Sequence, residues 1–170
     1  MSFSFCFFVG MNIHFRQATT ADLSLIFSLA NKIWREHYPA IIGEEQVEYM
    51  LNTRYNETTL ATSMDNGEQF YLAFDDEQPI AYASIQHNSD DYYLHKFYVD
   101  VARHRSGVGK IFFNYLLQQL SPLPTLRLQV NRQNIKAINF YFKFGFIIES
   151  VGDFDIGGGY FMNDFVMVRK

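Results

Sequence analysis

The chain has 170 residues, of which 48% are hydrophobic, including 18 Phe and 11 Tyr. This length and composition indicate one globular domain with a sizeable core and exclude an intrinsically disordered chain. The formal net charge of −4 argues against a general nucleic-acid-binding protein, and the single cysteine, Cys6, excludes an intrachain disulfide framework and a thiolate metal site.

The first ten residues, MSFSFCFFVG, are strongly apolar, and the first positive side chain after them is Arg16. A secretory signal would need a basic start and a longer apolar segment, and no apolar run in the chain is long enough to span a membrane. We therefore expect a cytoplasmic protein without a membrane partner. Residues 1–10 are interpreted as an N-terminal extension outside the core, with an extra edge strand as the alternative, and residues 11–170 as a single domain.

The N-terminal part of this domain predicts a short strand followed by two helices. The strand covers residues 13–18, and Thr19 to Asp22 is typical of a capped helix start. Apolar residues then recur at offsets of three and four until the helix ends near Tyr38. A shorter helical segment is predicted over residues 43–52.

The remainder of the chain alternates strands with two further helices. Three sequential strands joined by tight turns predict an antiparallel meander, and a strand that follows a crossover helix should be parallel to the strand before it. The expected fold class is therefore α/β, with a mixed sheet that has helices on its faces. The predicted strands cover residues 69–74, 80–86, 94–99, 126–130, 146–151 and 160–168, the predicted helices cover residues 108–120 and 135–144, and residues 152–159 are expected to form a loop.

A basic turn with two glycines lies between the strand at residues 94–99 and the helix that follows it. Gly107 and Gly109 allow a positive φ or the close approach of a ligand to the backbone, and Arg103, Arg105 and Lys110 add positive charge. The helix directs unpaired N–H groups and the positive end of its dipole toward the same place. This stretch predicts a phosphate-binding loop.

Two common phosphate motifs do not fit this loop. A Walker A sequence would require glycine at His104, and a dinucleotide fingerprint would require glycine at Phe112. The sequence HRSGVG, from His104 to Gly109, instead resembles the [QR]-x-x-G-x-[GA] pyrophosphate loop of the GNAT superfamily of N-acetyltransferases, with His in place of Gln or Arg at the first position. A second stretch, residues 134–146, is similar to the N-x-x-A and Y-x-x-x-G-F signature of that family.

The resemblance implies the GNAT acyl-CoA N-acyltransferase fold, with a central mixed sheet of six to seven strands and about four flanking helices. It also implies an acyltransferase that uses acetyl-CoA as co-substrate and no metal. The loop would hold the diphosphate, and the backbone of the central strand would pair with the pantetheine arm. The implied cofactor-binding residues are Phe97, Tyr98, Val99, His104, Arg105, Ser106, Gly107, Val108, Gly109, Lys110, Asn134, Ala137 and Tyr141.

The resemblance further implies roles in catalysis. A family tyrosine at the position of Tyr141 protonates the leaving thiolate, and a phenol with a pKa near 10 can do so while it stays protonated at neutral pH. His95 is the first candidate for the base that deprotonates the acceptor, because it stands where members of the family often carry glutamate. Glu36 and His37 are alternatives, ordered water is a third, and a histidine satisfied within the strand is the purely structural interpretation.

In the family, the connection that contains Glu36, His37 and Tyr38 forms one wall of the acceptor pocket. Acids around the expected entrance favour a cationic acceptor such as a polyamine-like amine, and they are Glu36, Glu44, Glu45, Asp153 and Asp155. Nearby aromatic side chains equally suit an arylalkylamine, and the acids can also be solvated surface charge. We expect a small-molecule or peptide amine as partner, no nucleic acid, and a monomer or homodimer. The alternative function is a catalytically inactive acyl-CoA sensor or interaction module of the same fold.

Overall fold

The computed structural model describes residues 5–8, 11–89, 91–120 and 125–170, and the chain divides into two compact units. Unit 1 contains Met1–Ile85 and Lys96–Ser121, and unit 2 contains Gln86–His95 and Pro122–Lys170. The described residues form eight strands of a mixed sheet and six α-helices. The strands are β1 (Phe5–Phe8), β2 (Met11–Gln17), β3 (Gln69–Asp75), β4 (Gln78–Asn88), β5 (Asp91–Val99), β6 (Leu126–Asn131), β7 (Ile147–Gly157) and β8 (Tyr160–Arg169). The helices are α1 (Leu23–His37), α2 (Pro39–Ile42), α3 (Glu44–Arg54), α4 (Glu57–Asp65), α5 (Val108–Gln119) and α6 (Ile135–Lys143).

Unit 1 is built on antiparallel strands in the order β1, β2, β3, β4. Phe15 of β2 pairs with Ala73 of β3, and Leu72 of β3 pairs with Tyr82 of β4. The turn between β3 and β4 contains Asp76, which has a positive φ of 50°. The predicted antiparallel pairing of β3 with β4 is therefore confirmed.

The predicted cap lies at the start of a single 3₁₀ turn, Thr20–Asp22, which leads directly into α1. The Thr19 N–H donates to the Asp22 carboxylate at 2.9 Å, and Arg16 forms an ion pair with the same carboxylate at 2.7 Å. The hydrogen bond from Arg16 is the main cause that lowers the pKa of Asp22 to about 2. These contacts fix the chain between β2 and the first helix. Helix α1 then buries an apolar stripe, which is formed by Ile26, Leu29, Ala30, Ile33 and Trp34.

Helix α4 was not predicted from the sequence. It is rich in serine and threonine, which are weak helix formers, so its apolar periodicity is faint. The Asn56 side chain accepts a hydrogen bond from the Thr59 N–H at 2.9 Å and caps the helix, and Leu60 is fully buried. Packing and capping therefore form this helix, and together with the single turn of α2 it raises the number of helices from the expected four to six.

Unit 2 contains the parallel part of the sheet. Tyr92 and Leu94 of β5 pair in parallel with Leu126 and Leu128 of β6, and the strand order continues from β6 to β8 and β7 with antiparallel pairing. The parallel relation predicted for the strands on either side of α5 is confirmed. The mixed α/β fold class predicted from the sequence is confirmed with it.

The prediction of a loop over residues 152–159 is wrong. Strand β7 continues to Gly157, and only Gly158 and Gly159 separate it from β8. Both glycines have positive φ values, 63° and 81°, which a tight hairpin turn requires and glycine adopts easily. The glycine content hid the alternation of Asp153, Phe154 and Asp155, which is the pattern of a strand.

Residues Phe5–Phe8 form β1, which pairs with β2 from Met11 to His14. These four residues thus form the extra edge strand that was the alternative to an extension, and they bring the number of strands to eight, one above the expected range. That the segment is dispensable for the domain stays a prediction. The other residues of the segment, 1–4 and 9–10, lie outside the described residues.

Within unit 1, alternate residues of β5 face different surroundings. The Phe97 ring lies 5.7 Å from that of Phe112 and 5.2 Å from that of Phe113, both in α5. The Tyr98 hydroxyl lies 2.7 Å from the Tyr55 hydroxyl at the end of α3. One face of the strand therefore holds the helix that follows the glycine turn, and the other face meets the N-terminal helices.

Candidate functional site

The predicted phosphate loop runs from the end of β5 to the first turn of α5, all within unit 1. Arg105 and Gly107 have φ values of 64° and 88°, so the chain turns sharply twice. Glycine adopts this conformation freely, whereas it strains a residue such as arginine. The Ser106 hydroxyl donates to the Arg103 carbonyl oxygen at 2.6 Å and accepts from the Val108 N–H at 3.4 Å, which fixes the shape of the turn.

Helix α5 begins directly after Gly107, its N-cap residue. The Ile111 N–H donates to the Gly107 carbonyl oxygen at 3.2 Å, as the first hydrogen bond of the helical type. The N–H groups of Gly109 and Lys110 precede that bond, so they have no acceptor within the helix. They lie at the positive end of the helix dipole, where an anion binds favourably.

The cations around the loop have different surroundings. Arg103 forms an ion pair with Asp75 of β3, with an N to O distance of 3.0 Å. Arg105 and Lys110 are exposed. Arg103 is therefore committed to the attachment of the loop to β3, and Arg105 and Lys110 are the side chains that can neutralise a bound phosphate.

His104 occupies the position where the GNAT pattern has Gln or Arg. Its Nε2 lies 3.1 Å from the Val99 carbonyl oxygen, and its ring centroid lies 5.8 Å from that of His37. The imidazole thus ties the start of the loop to the end of β5. The exposed guanidinium of Arg105 supplies a positive charge at the next position.

The predicted acceptor wall lies at the C-terminal end of α1. The Tyr38 ring stacks on Trp34 at 4.2 Å and meets Tyr98 of β5 at 6.1 Å. His37 contacts Tyr38 at 5.0 Å as well as His104. The structure therefore brings this wall together with the loop and with the central strand, all inside unit 1.

A buried polar network that the sequence analysis missed lies on the same face of β5 as Tyr98. Glu68, which is 8% exposed, accepts hydrogen bonds from Lys96 Nζ at 2.5 Å and from the Ser84 hydroxyl. Burial lowers the pKa of the Lys96 ammonium, and the charge of Glu68 acts in the opposite direction. The only sequence signal for this network was a lysine inside a predicted strand. Its partner, Glu68, lies 28 residues away in the sequence, so the pairing itself left no local pattern.

The predicted acid, Tyr141, lies in α6 of unit 2 and is 7% exposed. Its ring packs 5.5 Å from the rings of Phe140 and Phe146. Asn134 caps the same helix, because its side chain accepts from the Ala137 N–H at 3.3 Å. The capping role is confirmed, and the cofactor contacts of Asn134, Ala137 and Tyr141 stay predictions.

The predicted base, His95, is an exposed residue of β5 in unit 2. Its Nε2 lies 3.1 Å from the Gln86 side-chain oxygen, and its ring lies 4.7 Å from that of Tyr93. These contacts orient the imidazole. They suit a base and equally suit a structural histidine, so the catalytic role stays a prediction.

Two acids that favoured a cationic acceptor are used within the β7–β8 hairpin. Asp153 forms an ion pair with Arg132 and accepts from Asn163 Nδ2 at 2.7 Å, and Asp155 accepts from the Gly157 N–H at 2.8 Å. Because Arg132 neutralises Asp153, the hairpin contributes less negative charge than its sequence indicates. The remaining acids of this set, Glu36, Glu44 and Glu45, are exposed.

A further acid, Asp164 of β8, was missed. It is fully buried in unit 2, and neither of its side-chain oxygens has a hydrogen-bond partner among the residues that the structure describes. Burial raises the pKa of its carboxyl to about 6. The available signal was the strand period, since Asp164 alternates in phase with Val166 and Val168 and therefore occupies an apolar position.

Residues 40–153, more than half of the chain, match a family described as an acetyltransferase (GNAT) domain. The chain belongs to the GNAT acetyltransferase family. This result confirms the resemblance drawn from the loop at His104 to Gly109 and from the second signature, and it confirms that the chain is an enzyme of the acyltransferase class. GNAT membership does not assign a role to any single residue.

Solved GNAT structures share the fold. PaiA N-acetyltransferase from Thermoplasma acidophilum, in complex with coenzyme A, is 26% identical, with a TM-score of 0.76 over 94% of this chain and 99% of that chain. The ribosomal-protein-S18-alanine N-acetyltransferase from Escherichia coli is 19% identical, with a TM-score of 0.72 and 92% of each chain covered. Arabidopsis thaliana Naa50, in complex with a bisubstrate analogue, is 18% identical, with a TM-score of 0.66 over 93% of this chain and 98% of that chain. The last two show the fold alone, and no curated protein matches the chain.

None of the helices in the described ranges is long and apolar enough to cross a membrane. In the same ranges, no group of three or more His, Cys, Asp and Glu side chains is arranged to hold a metal ion.

Proposed function

We propose that this GNAT protein transfers an acetyl group from acetyl-CoA to a primary amine. The observation that carries the proposal is the loop before α5, in which Gly107 has a positive φ and caps the helix. Next to it, two backbone N–H groups have no acceptor within the helix, and two cationic side chains are exposed. The coenzyme A complex of the PaiA relative supports the same ligand for this chain.

The residues of the loop fit a diphosphate. The N–H groups of Gly109 and Lys110 are donors for phosphoryl oxygens, and the side chains of Arg105 and Lys110 oppose the negative charge. Ser106 and His104 hold the turn in shape through their contacts with Arg103 and Val99. We further propose that the backbone from Phe97 to Val99 pairs with the pantetheine arm, as the family resemblance implies.

When bound, acetyl-CoA supplies a thioester whose carbonyl carbon can be attacked by an amine nitrogen. We assign two groups of this chain to that attack. A backbone N–H of Val99 or its neighbour donates to the carbonyl oxygen as negative charge develops there. The Tyr141 hydroxyl donates its proton to the leaving sulfur, since a phenol with a pKa near 10 is protonated at neutral pH.

The acceptor must lose a proton before it attacks. An aliphatic ammonium with a pKa of about 10.4 is neutral in only about one molecule in a few thousand at pH 7, so a proton acceptor accelerates the reaction. We assign this role to His95. When His95 Nε2 donates to the Gln86 side-chain oxygen, the neutral imidazole has Nδ1 as its proton acceptor.

We propose that the acceptor binds against Glu36, His37 and Tyr38. In unit 1, His37 and Tyr38 contact both the start of the loop and Tyr98 of β5, which supports this placement. The acceptor is a small-molecule or peptide amine, and the exposed acids of α1 and α3 favour a cationic one. We place the protein in the cytoplasm, as a monomer or homodimer.

The experiment that tests this function measures thiol release from acetyl-CoA with a panel of primary amines. Tyr141→Phe removes the proposed acid and should lower turnover by about 10²- to 10⁴-fold, with little change in coenzyme A affinity. Tyr160→Phe, which changes a tyrosine of the hairpin in the same unit, is the matched control and should leave turnover unchanged.

Equal turnover of the wild type and Tyr141→Phe would refute the role of the phenol. If coenzyme A raises the melting temperature but no amine releases thiol, the protein is instead an acyl-CoA sensor of the same fold. If coenzyme A has no effect on the melting temperature either, the proposed function is wrong.

A further inference from the structure

Asp100, the first residue after β5, is buried, and each of its polar groups has a partner. The carboxylate accepts from Lys32 Nζ of α1 at 2.6 Å and from the Ala102 N–H at 3.1 Å. Its backbone N–H donates to the Ile80 carbonyl oxygen, and its carbonyl oxygen accepts from the Arg103 N–H, both at 2.8 Å. One residue of unit 1 thus joins helix α1, strand β4 and the turn after β5.

The turn that Asp100 caps leads directly into the phosphate loop. Residues Val101–Arg103 form a single 3₁₀ turn, and the bond from the Ala102 N–H makes Asp100 its cap. The next residue, His104, returns to the Val99 carbonyl oxygen at the end of β5. The Asp100 carboxylate therefore fixes the point at which the chain leaves β5 for the loop.

Helix α1 brings the other half of the contact. Lys32 lies about one helical turn before Glu36, the first residue of the proposed acceptor wall. The hydrogen bond to Asp100 and, to a smaller extent, the charge of Glu36 raise the pKa of the Lys32 ammonium. Near the end of the same helix, the His37 ring lies 5.8 Å from that of His104. Helix α1 and the start of the loop thus meet through an ion pair and through a contact between two rings.

The two charges of this ion pair have different surroundings. The Lys32 side chain is 44% exposed, whereas that of Asp100 is 3% exposed. An ammonium at the surface can return to water when the pair is broken, but a buried carboxylate that loses its cation stays desolvated. A shift of α1 away from this turn would leave a buried charge uncompensated, so the pair resists such a shift.

We propose that Asp100 is a positioning residue, which through Lys32 holds the acceptor wall of α1 at a fixed distance from the phosphate loop. The inference rests on the proposed acetyl transfer, since it needs the coenzyme in the loop and the amine against α1. A misplacement of about 1 Å between reacting groups can cost about a hundredfold in rate. A charged contact between the two binding elements acts on that distance without touching either reactant.

The test removes the ion pair and keeps the cap. Asp100→Asn retains an oxygen that accepts from the Ala102 N–H but loses the charge that holds Lys32, so kcat/KM for the amine should fall by about 10- to 100-fold. The dissociation constant of coenzyme A should change by less than about twofold, because the turn into the loop keeps its cap. The amine is the one that the wild type acetylates fastest among 1,3-diaminopropane, 2-phenylethylamine and alaninamide.

Further variants separate positioning from a general loss of structure. Lys32→Met removes the other half of the pair and should lower kcat/KM to the same extent. The double variant with Asp100→Asn should be no worse than either single variant, because all three lack the same interaction. Lys32→Arg keeps the charge and should retain most of the activity. Arg16→Gln breaks the ion pair with Asp22 before the other end of α1 and should leave kcat/KM unchanged.

Melting temperatures with and without coenzyme A show that each variant is folded and binds its co-substrate. Wild-type kcat/KM in Asp100→Asn or Lys32→Met, effects that multiply in the double variant, or a loss confined to coenzyme A affinity would overturn the inference and leave the acetyltransferase proposal intact. An equal loss of kcat/KM in Arg16→Gln would also overturn it, because a loosened α1 would then explain the effect. Failure of the proposed function is a different result, in which the wild type releases no thiol with any of the three amines.

Discussion

Two buried carboxylates of this protein have opposite surroundings. In unit 1, Glu68 accepts hydrogen bonds from Lys96 and Ser84, whereas in unit 2 the oxygens of Asp164 have no such partner among the described residues. A buried charge that is paired and hydrogen-bonded has its desolvation cost offset by its partners, whereas an unpaired buried charge lowers stability. The contrast indicates that the charge of Glu68 is compensated within the fold, whereas the charge of Asp164 lowers the stability of unit 2.

The largest effect on the free energy of unfolding should come from removing Lys96, the cationic partner of Glu68. Lys96→Met keeps most of the side-chain volume but leaves the Glu68 carboxylate buried without its cation, which should lower the free energy of unfolding by about 3–5 kcal/mol. Urea unfolding followed by circular dichroism measures this change. The loss should be specific to the charge, since both residues are almost fully buried.

The double variant Lys96→Met with Glu68→Gln is the control for this prediction. It removes both charges, so it should recover much of the stability that the single variant loses. A single variant that unfolds at the wild-type urea concentration would show that the pair has no structural role, and the contrast with Asp164 would then disappear.

The second prediction concerns Asp164, where removing the charge should raise rather than lower the free energy of unfolding. The pKa of its carboxyl is raised to about 6 from the ordinary value of 3.8, so the folded state binds this proton more tightly than the unfolded state does. Wild-type stability should therefore fall as pH rises from about 4 to about 6 and stay reduced above that. Asp164→Asn cannot ionise, so it should be more stable than the wild type by up to about 3 kcal/mol at pH 7.5, the free energy of a shift of about two pKa units.

Urea unfolding of both proteins between pH 4.5 and 7.5 checks this prediction. The advantage of Asp164→Asn should shrink toward the acid end, where the wild-type carboxyl is protonated and neutral. A variant that is less stable than the wild type at pH 7.5 would mean that Asp164 is paired in solution, and the contrast with Glu68 would disappear.

The smallest effect on stability should come from a hydrogen bond between two neutral groups. It is made by Tyr98, which lies on the same face of β5 as Lys96. Tyr98→Phe removes the hydrogen bond between the Tyr98 and Tyr55 hydroxyls, and it should lower the free energy of unfolding by about 1 kcal/mol. A loss as large as that of Lys96→Met would show that burial, rather than charge, sets the energetics of this face. The same urea titration makes the comparison.

Local sequence signals were sufficient to predict the phosphate loop and most of the helices and strands. Gly107, the basic residues beside it and the apolar stripe of α5 are neighbours in sequence, so their joint structure follows from propensity, capping and the helix dipole. Helix α4 and the second half of β7 were missed because local composition disagreed with the structure. In both, burial or strand pairing outweighed the weak preferences of threonine and glycine.

The buried polar groups were beyond sequence reasoning for a different physical reason. Glu68, which directly precedes β3, meets Lys96 of β5 only because the chain folds them into the same unit, and the Phe154 ring lies against Gly152 within the β7–β8 hairpin. Whether a charged side chain is buried, and whether it then finds a partner, depends on contacts between residues that are distant in sequence.

The central claim is that the loop around Gly107 binds the diphosphate of coenzyme A. Calorimetric titration of the full chain with coenzyme A and with pantetheine, which lacks the diphosphate, tests it most directly. We expect coenzyme A to bind at least about a hundredfold more tightly, and Arg105→Ala to weaken coenzyme A but not pantetheine, because charge-assisted bonds to phosphate supply the difference. Equal affinity for the two ligands would contradict the claim.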